Sequence, residues 1–244
     1  MFSRILASAT LALLVGCQTT SSPDAAKPTW DRGYMYLLNV AGNEFCGYYV
    51  DHRYTQVCMR NLSDAARDSG KKFPVVVFLH GCLKFDGDYG RWLAKLGNIV
   101  FSPDSFQRTG RTSQCSRGAS KGHILSMRQS EITYAREQLE KLDWVDQSRV
   151  FLVGTSEGGR AVADHSGAGY KAKIILSYDC GRGPVKGSLP VLNLVGKLDL
   201  EWGNGLCVVS GPNSFAFNVP DRGHTFLGDQ FASEKIKMFL GQFN

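Results

Sequence analysis

RVFLVGTSEGGRAVADH, residues 149–165, divides into three pieces. Val150–Val153 is a short apolar run rich in β-branched and aromatic side chains, the composition of a buried parallel strand. Gly158–Ala163 opens a helix of small residues. Between them, Gly154-Thr155-Ser156-Glu157-Gly158 fits a tight strand-to-helix turn. Glycines at both ends remove the Cβ atoms that would clash, and the serine hydroxyl is held out in front of a helix N-terminus. The same spacing recurs at Gly118-Ala119-Ser120-Lys121-Gly122, but that copy follows the polar run RTSQCSR with no strand before it and reads as a loop. Ser156 is therefore the candidate nucleophile.

Working outward, strands are expected at Tyr36–Val40, Phe45–Val50, Pro74–Leu79, Asn98–Ser102, Lys173–Tyr178, Val191–Val195 and Ser214–Val219. Helices are expected at Asp88–Leu96, Ile124–Leu142 and Asp229–Leu240. Strands alternating with helices make an α/β chain with a mostly parallel sheet covered on both faces. Thr55–Arg60 reads as a further strand, paired with Phe45–Val50 across Asp51-His52-Arg53. That register would set Cys46 opposite Cys58 at a distance a disulfide spans. The segment CGRGPVKGSLP, between the Lys173–Tyr178 and Val191–Val195 strands, shows no helix, although parallel neighbours usually need a crossover. Nor can so short a stretch, rich in Gly and Pro, fold into a lid.

At 244 residues, with 43% hydrophobic and 20% charged side chains, the chain is the size and composition of one soluble domain with a sizeable core. Its net charge of +6 is spread without a basic run or an aromatic-interleaved patch, which argues against nucleic acid as a partner. Residues 1–17 carry Arg4 and then an apolar stretch, Ile5–Val15, too short to span a bilayer as a permanent helix. They end Leu14-Val15-Gly16-Cys17, which resembles the bacterial lipobox. The resemblance implies cleavage before Cys17, lipidation of its sulfur, and anchoring in the cell envelope, at the periplasmic face of the outer membrane if the source is Gram-negative. Residues 18–30, polar and Pro-bearing, then form a flexible tether, and residues 31–244 the single domain. Six cysteines remain beyond Cys17 (Cys46, Cys58, Cys82, Cys115, Cys180 and Cys207), an even number that argues for disulfides in an exported protein. No paired Cys or His spacing suits a metal, and no cofactor is expected.

A serine hydroxyl needs a base, and the base needs a carboxylate to orient it. His165 lies ~13 Å along the helix from Ser156 at 1.5 Å per residue and points away. His52 falls in the expected hairpin turn, His123 opens the long helix, and His80 is placed to shape the loop before Gly81. His224, in Asp221-Arg222-Gly223-His224-Thr225, follows the last strand and would share the C-terminal sheet edge with Ser156. The matching acid is Asp199 in Val195-Gly196-Lys197-Leu198-Asp199, with Glu201, Asp179 and Asp221 as alternatives.

The order Ser, Asp, His, together with VVVFLHGC, PDSF followed by Arg108 and Arg111, GTSEGG, VGKLD and RGHTF, resembles the α/β-hydrolase superfamily and its dienelactone hydrolase-like branch. The resemblance spans roughly residues 73–240. It implies an α/β-hydrolase fold without a large lid domain, and an oxyanion hole from the backbone N–H groups of Cys82 and Glu157. Cys82 with Cys115, and Cys180 with Cys207, would then lie in neighbouring loops at the site's edge and could pair there. Dienelactone hydrolases proper carry cysteine as nucleophile, whereas this elbow carries Ser156. The expectation is a serine carboxylesterase acting on small esters or lactones through an acyl-enzyme. The competing expectations are a peptidase of the prolyl oligopeptidase type and a non-catalytic envelope lipoprotein on the same fold.

Overall fold

In the computed structural model, residues 23–38, 48–83, 87–112, 115, 121–201 and 203–243 are described. The sheet is built on β3 (Phe73–Leu79), whose alternate residues serve two cores. Val75, Val77 and Leu79 enter one, and Val76 and Phe78 enter the other. This is why the strand is apolar without interruption, and each such side chain contributes on the order of 2 kcal/mol by leaving water.

Around it the eight strands run in the order β2-β1-β4-β3-β5-β6-β7-β8. β4 (Ile99–Ser102), β5 (Val145–Thr155), β6 (Ala172–Leu176), β7 (Val191–Gly196) and β8 (Phe215–Val219) are all parallel to β3. The short β1 (Tyr34–Tyr36) and β2 (Tyr48–Tyr49) close one edge antiparallel. On one face pack α1 (Pro23–Asp31), α2 (Arg53–Ser69), α4 (Lys121–Glu140) and α5 (Glu157–Asp164); on the other lie α3 (Gly87–Lys95) and α6 (Gln230–Gly241). Strand order reverses between β4 and β5 on either side of β3, and that reversal opens a crevice beyond the C-terminal ends of β3 and β5.

Two expectations are corrected and one is borne out. Thr55–Arg60 is not a strand but the first half of α2, with His52 Nδ1 accepting the Tyr54 N–H at its start and Gly70 ending it in the left-handed region. Its buried residues Thr55, Leu62 and Ala66 follow helical spacing, and six residues alone were too short a window to show that period. The hairpin expected to set Cys46 opposite Cys58 therefore does not form; Cys58, on α2, is nonetheless disulfide-bonded, and Cys46 lies outside the described residues, as do Cys17 and Ser120. The packed domain also begins earlier than residue 31. α1 buries Ala26, Thr29 and Trp30, and Trp30 stacks on Phe101 at 4.9 Å, so the latter part of the expected tether belongs to the fold. Lastly, β6 and β7 are joined with only a short 3₁₀ turn, Cys180–Arg182, between them. The missing crossover helix is a real feature, and no lid domain stands in its place.

Candidate active site

Ser156 sits where β5 turns into α5, at φ 56° and ψ −117°, a backbone conformation that costs an L residue about 1–3 kcal/mol. The turn is held because the Ser156 N–H donates to the Leu176 carbonyl at the end of β6, 2.9 Å away, and because α5 lies directly against β3. A Cβ on Gly158 would fall 2.2 Å from the Leu79 carbonyl oxygen, so only glycine fits that approach.

Asp199 lies just past β7 and His224 on the loop after β8. The two loops touch: the Leu198 N–H donates to the Arg222 carbonyl at 2.8 Å, and a Cβ on Gly196 would meet the Gly223 oxygen at 1.9 Å. Asp199 Oδ2 stands 2.8 Å from His224 Nδ1, and His224 Nε2 stands 3.0 Å from Ser156 Oγ. Since the carboxylate can only accept, Nδ1 carries the proton and Nε2 is left to receive the serine's. Asp199 is 1% exposed and also accepts the Glu201 N–H at 2.9 Å, while Ser177 Oγ donates to the His224 carbonyl at 2.6 Å. Both ends of the histidine are thus fixed.

The alternatives fall elsewhere. Glu201 Oε2 is 3.7 Å from Nε2, on the serine side of the ring, and 70% exposed. Asp179 accepts the Gly181 N–H within its own turn, and Asp221 is an exposed turn residue. Among the histidines, His123 is exposed on α4. His165 accepts the Gly167 N–H through Nδ1, and burial, with the nearby Lys173 ammonium, pushes its pKa down to about 4. His80 is fully buried: Nδ1 faces the Gly81 carbonyl at 2.7 Å and Nε2 accepts the Ser105 N–H at 3.0 Å. Burial first, and then the Arg128 charge, hold it neutral.

A cleft of about 220 Å³ opens over Ser156 and His224, walled by Gly81, Cys82, Leu83 and Cys115. Cys82 and Cys115 are joined by a disulfide in that wall, and a second disulfide joins Cys180 to Cys207. Cys82 borders the cleft on one side of Ser156; Glu157, the first residue of α5, has an N–H without a partner inside its helix. A larger cavity of about 440 Å³, lined by Leu37, Leu62, Phe73 and Ile99, lies at the opposite edge of the sheet and touches none of these groups. Among the described residues no His, Cys, Asp and Glu cluster is arranged to hold a metal.

The sequence reading missed a buried polar group beneath the elbow. Arg111 Nη2 donates to Glu157 Oε1 at 2.6 Å, Arg128 pairs with Glu131 at 3.0 Å, and Ser105 Oγ donates to Glu131 Oε1 at 2.8 Å. Arg108 joins from the side, donating to Ser130 Oγ at 2.7 Å. The available signal was Arg128 and Glu131 one turn apart on α4, on the helix that buries Ile132 and Ala135.

No family model matches the sequence, and no curated protein matches it either. Solved structures do. An acetyl xylan esterase from Paenibacillus sp. R4 superposes with a TM-score of 0.54 at 15% identity, over 71% of this chain and 75% of its own. Acetyl xylan esterase 1 from Thermoanaerobacterium gives 0.51 at 13% identity, over 71% and 76%. A candidate dipeptidyl aminopeptidase IV from Bacteroides ovatus gives 0.50 at 17% identity over 71% of this chain, which spans only 32% of that longer protein. Likeness at these identities is one of fold, and with the strand order and the reversal at β3 it makes this an α/β-hydrolase fold without a lid domain.

Proposed function

We propose that the protein is a serine hydrolase of small esters or lactones, working through an acyl-enzyme on Ser156. The observation that carries this reading is the unbroken line Asp199 Oδ2, His224, Ser156 Oγ, with contacts of 2.8 and 3.0 Å at the floor of an open cleft. In the reaction, Oγ attacks the ester carbonyl as its proton passes to Nε2 of His224. Asp199 steadies the resulting imidazolium, and the tetrahedral oxygen is bound by the backbone N–H groups of Cys82 and Glu157. Each such donor contributes about 3 kcal/mol to the transition state. The leaving alcohol takes the proton from Nε2, and water then repeats the sequence to free the acid. Because only unprotonated His224 can begin the cycle, activity falls on acidification.

A small acyl group is favoured because the cleft is shallow and the β6–β7 connection too short to cover a long chain. Methylenes left in water forgo ~0.8 kcal/mol each. The acetyl xylan esterases act on an ester from the same fold. The Cys17 lipobox and the two disulfides, Cys82–Cys115 in the cleft wall and Cys180–Cys207 outside it, are what support export and lipid anchoring, with the catalytic domain on the periplasmic side. The test is fluorophosphonate labelling of the purified protein, with 4-nitrophenyl esters from acetyl to dodecanoyl and a matched amide. Label should reach Ser156 and vanish in Ser156→Ala, with specificity constants flat or falling beyond butyryl. Label on Ser120, a steady climb to dodecanoyl, or faster amide cleavage would each overturn its part of the reading. Retention of Cys17→Ser in the membrane fraction would remove the anchor.

A further inference from the structure

The chain buries an arginine at the one place where two candidate donors must be kept in register. Arg128, on α4, and Glu131 one turn later both have fully buried side chains. Sequestering such ions costs several kcal/mol before their attraction is counted, and a pair of well-packed apolar residues would serve packing as well. The guanidinium reaches two separate elements. Nη2 donates to the backbone carbonyl of His80, at the turn leaving β3. Nε lies 3.5 Å from Glu157 Oε1, at the start of α5, an electrostatic contact outside hydrogen-bond geometry. Two residues beyond the His80 carbonyl comes the Cys82 N–H, and Glu157 carries the other N–H itself.

We infer that Arg128 is a positioning residue that fixes the spacing between the two oxyanion donors, an inference resting on the serine hydrolase reading above. The parts around it tie the same two elements. Nη1 of Arg128 pairs with Glu131 Oε2 at 3.0 Å, and Glu131 Oε1 accepts from Ser105 Oγ. The Ser105 N–H holds His80 Nε2, and Arg111 Nη2 holds Glu157 Oε1 from the other side. Oxyanion donors act within a narrow range, about 2.7–3.1 Å from an oxygen that exists only in the transition state. A slip of half an ångström between the β3 turn and α5 would therefore weaken one bond without changing how the substrate binds. The planar fork of arginine holds both elements at once, whereas a lysine ammonium holds one.

The test compares Arg128→Lys, Arg128→Met and Glu157→Gln with the wild-type protein, rates being normalised to sites titratable by fluorophosphonate. Both Arg128 variants should lose about 10- to 100-fold in kcat on 4-nitrophenyl acetate while KM stays within about threefold. Affinity for a boronic acid, which becomes tetrahedral on Ser156, should fall by a similar factor, and the pH dependence of the rate should keep its shape. Glu157→Gln, which retains the backbone N–H, should shift the same two quantities less, and it decides the matter if the Arg128 variants do not fold. Unchanged kcat and boronate affinity in a folded variant overturn the inference alone. A wild-type protein that takes no label on Ser156 overturns the hydrolase reading and this inference together.

Discussion

At Ser156 the backbone is held in a conformation that suits its hydroxyl better than its own stability. Glycine occupies that region without penalty, so Ser156→Gly should abolish labelling yet raise the free energy of urea unfolding by about 1 kcal/mol, while Ser156→Ala keeps the strain and gains nothing. Equal stability of the two variants would mean that the turn is not strained. This residue was also the most legible one in the sequence, because glycine spacing, the apolar run before it and the small residues after it all report the same turn. Asp199 and His224 were legible for a related reason: each follows a strand end, where parallel topology gathers loops on one edge. Arg128 was not, since a charged side chain in a helix is ordinarily solvated, and its burial depends on partners far along the chain.

Elements were readable in proportion to how far their pattern extended. β3, β5, α3 and α6 fall within a few residues of expectation because buried runs and capping signals such as Asp229, which accepts the Ala232 N–H, mark them locally. α2 was misread because a short alternating window overlaps with helical spacing, and α1 because a polar, Pro-bearing stretch becomes helical only by packing on α4 and Phe101. The connections between elements carry a pH dependence of their own. His165, at the end of α5, has its pKa lowered from 6.5 to about 4, and His80 after β3 is shifted the same way. Above pH 6.5 folded and unfolded chains are both neutral there. As pH falls below it the unfolded chain takes up protons that the folded one refuses, so stability drains away, for His165 until about pH 4. For His165 alone the loss is about 2 kcal/mol at pH 5. His165→Asn, which keeps an acceptor for the Gly167 N–H, should flatten the decline in urea-derived stability from pH 7 to 5, and an unaltered slope would exclude His165 as its source.

For the molecule as a whole, the alternation of strands and helices announced the sheet, and the helix-free segment before Val191 announced the missing crossover between β6 and β7, but nothing announced that the antiparallel edge would be made of two very short strands. That edge has no local signature; it depends on which strand comes to lie beside which. In the wall of the cleft Cys82 and Cys115 meet from loops 33 residues apart in sequence, the pairing that the resemblance implied. Neither cysteine belongs to the strands or helices that form the two cores, so the apolar interior can be complete while this junction is still open. The order of assembly then matters to the proposed hydrolase: a chain that has folded but not yet been oxidised is expected to be dormant, the last covalent bond finishing the site rather than the fold. Mild reduction should accordingly lower esterase activity while far-ultraviolet dichroism and core tryptophan fluorescence stay native, and reoxidation should restore the rate. Activity and tertiary signal lost together would instead make the bond a support of the whole domain.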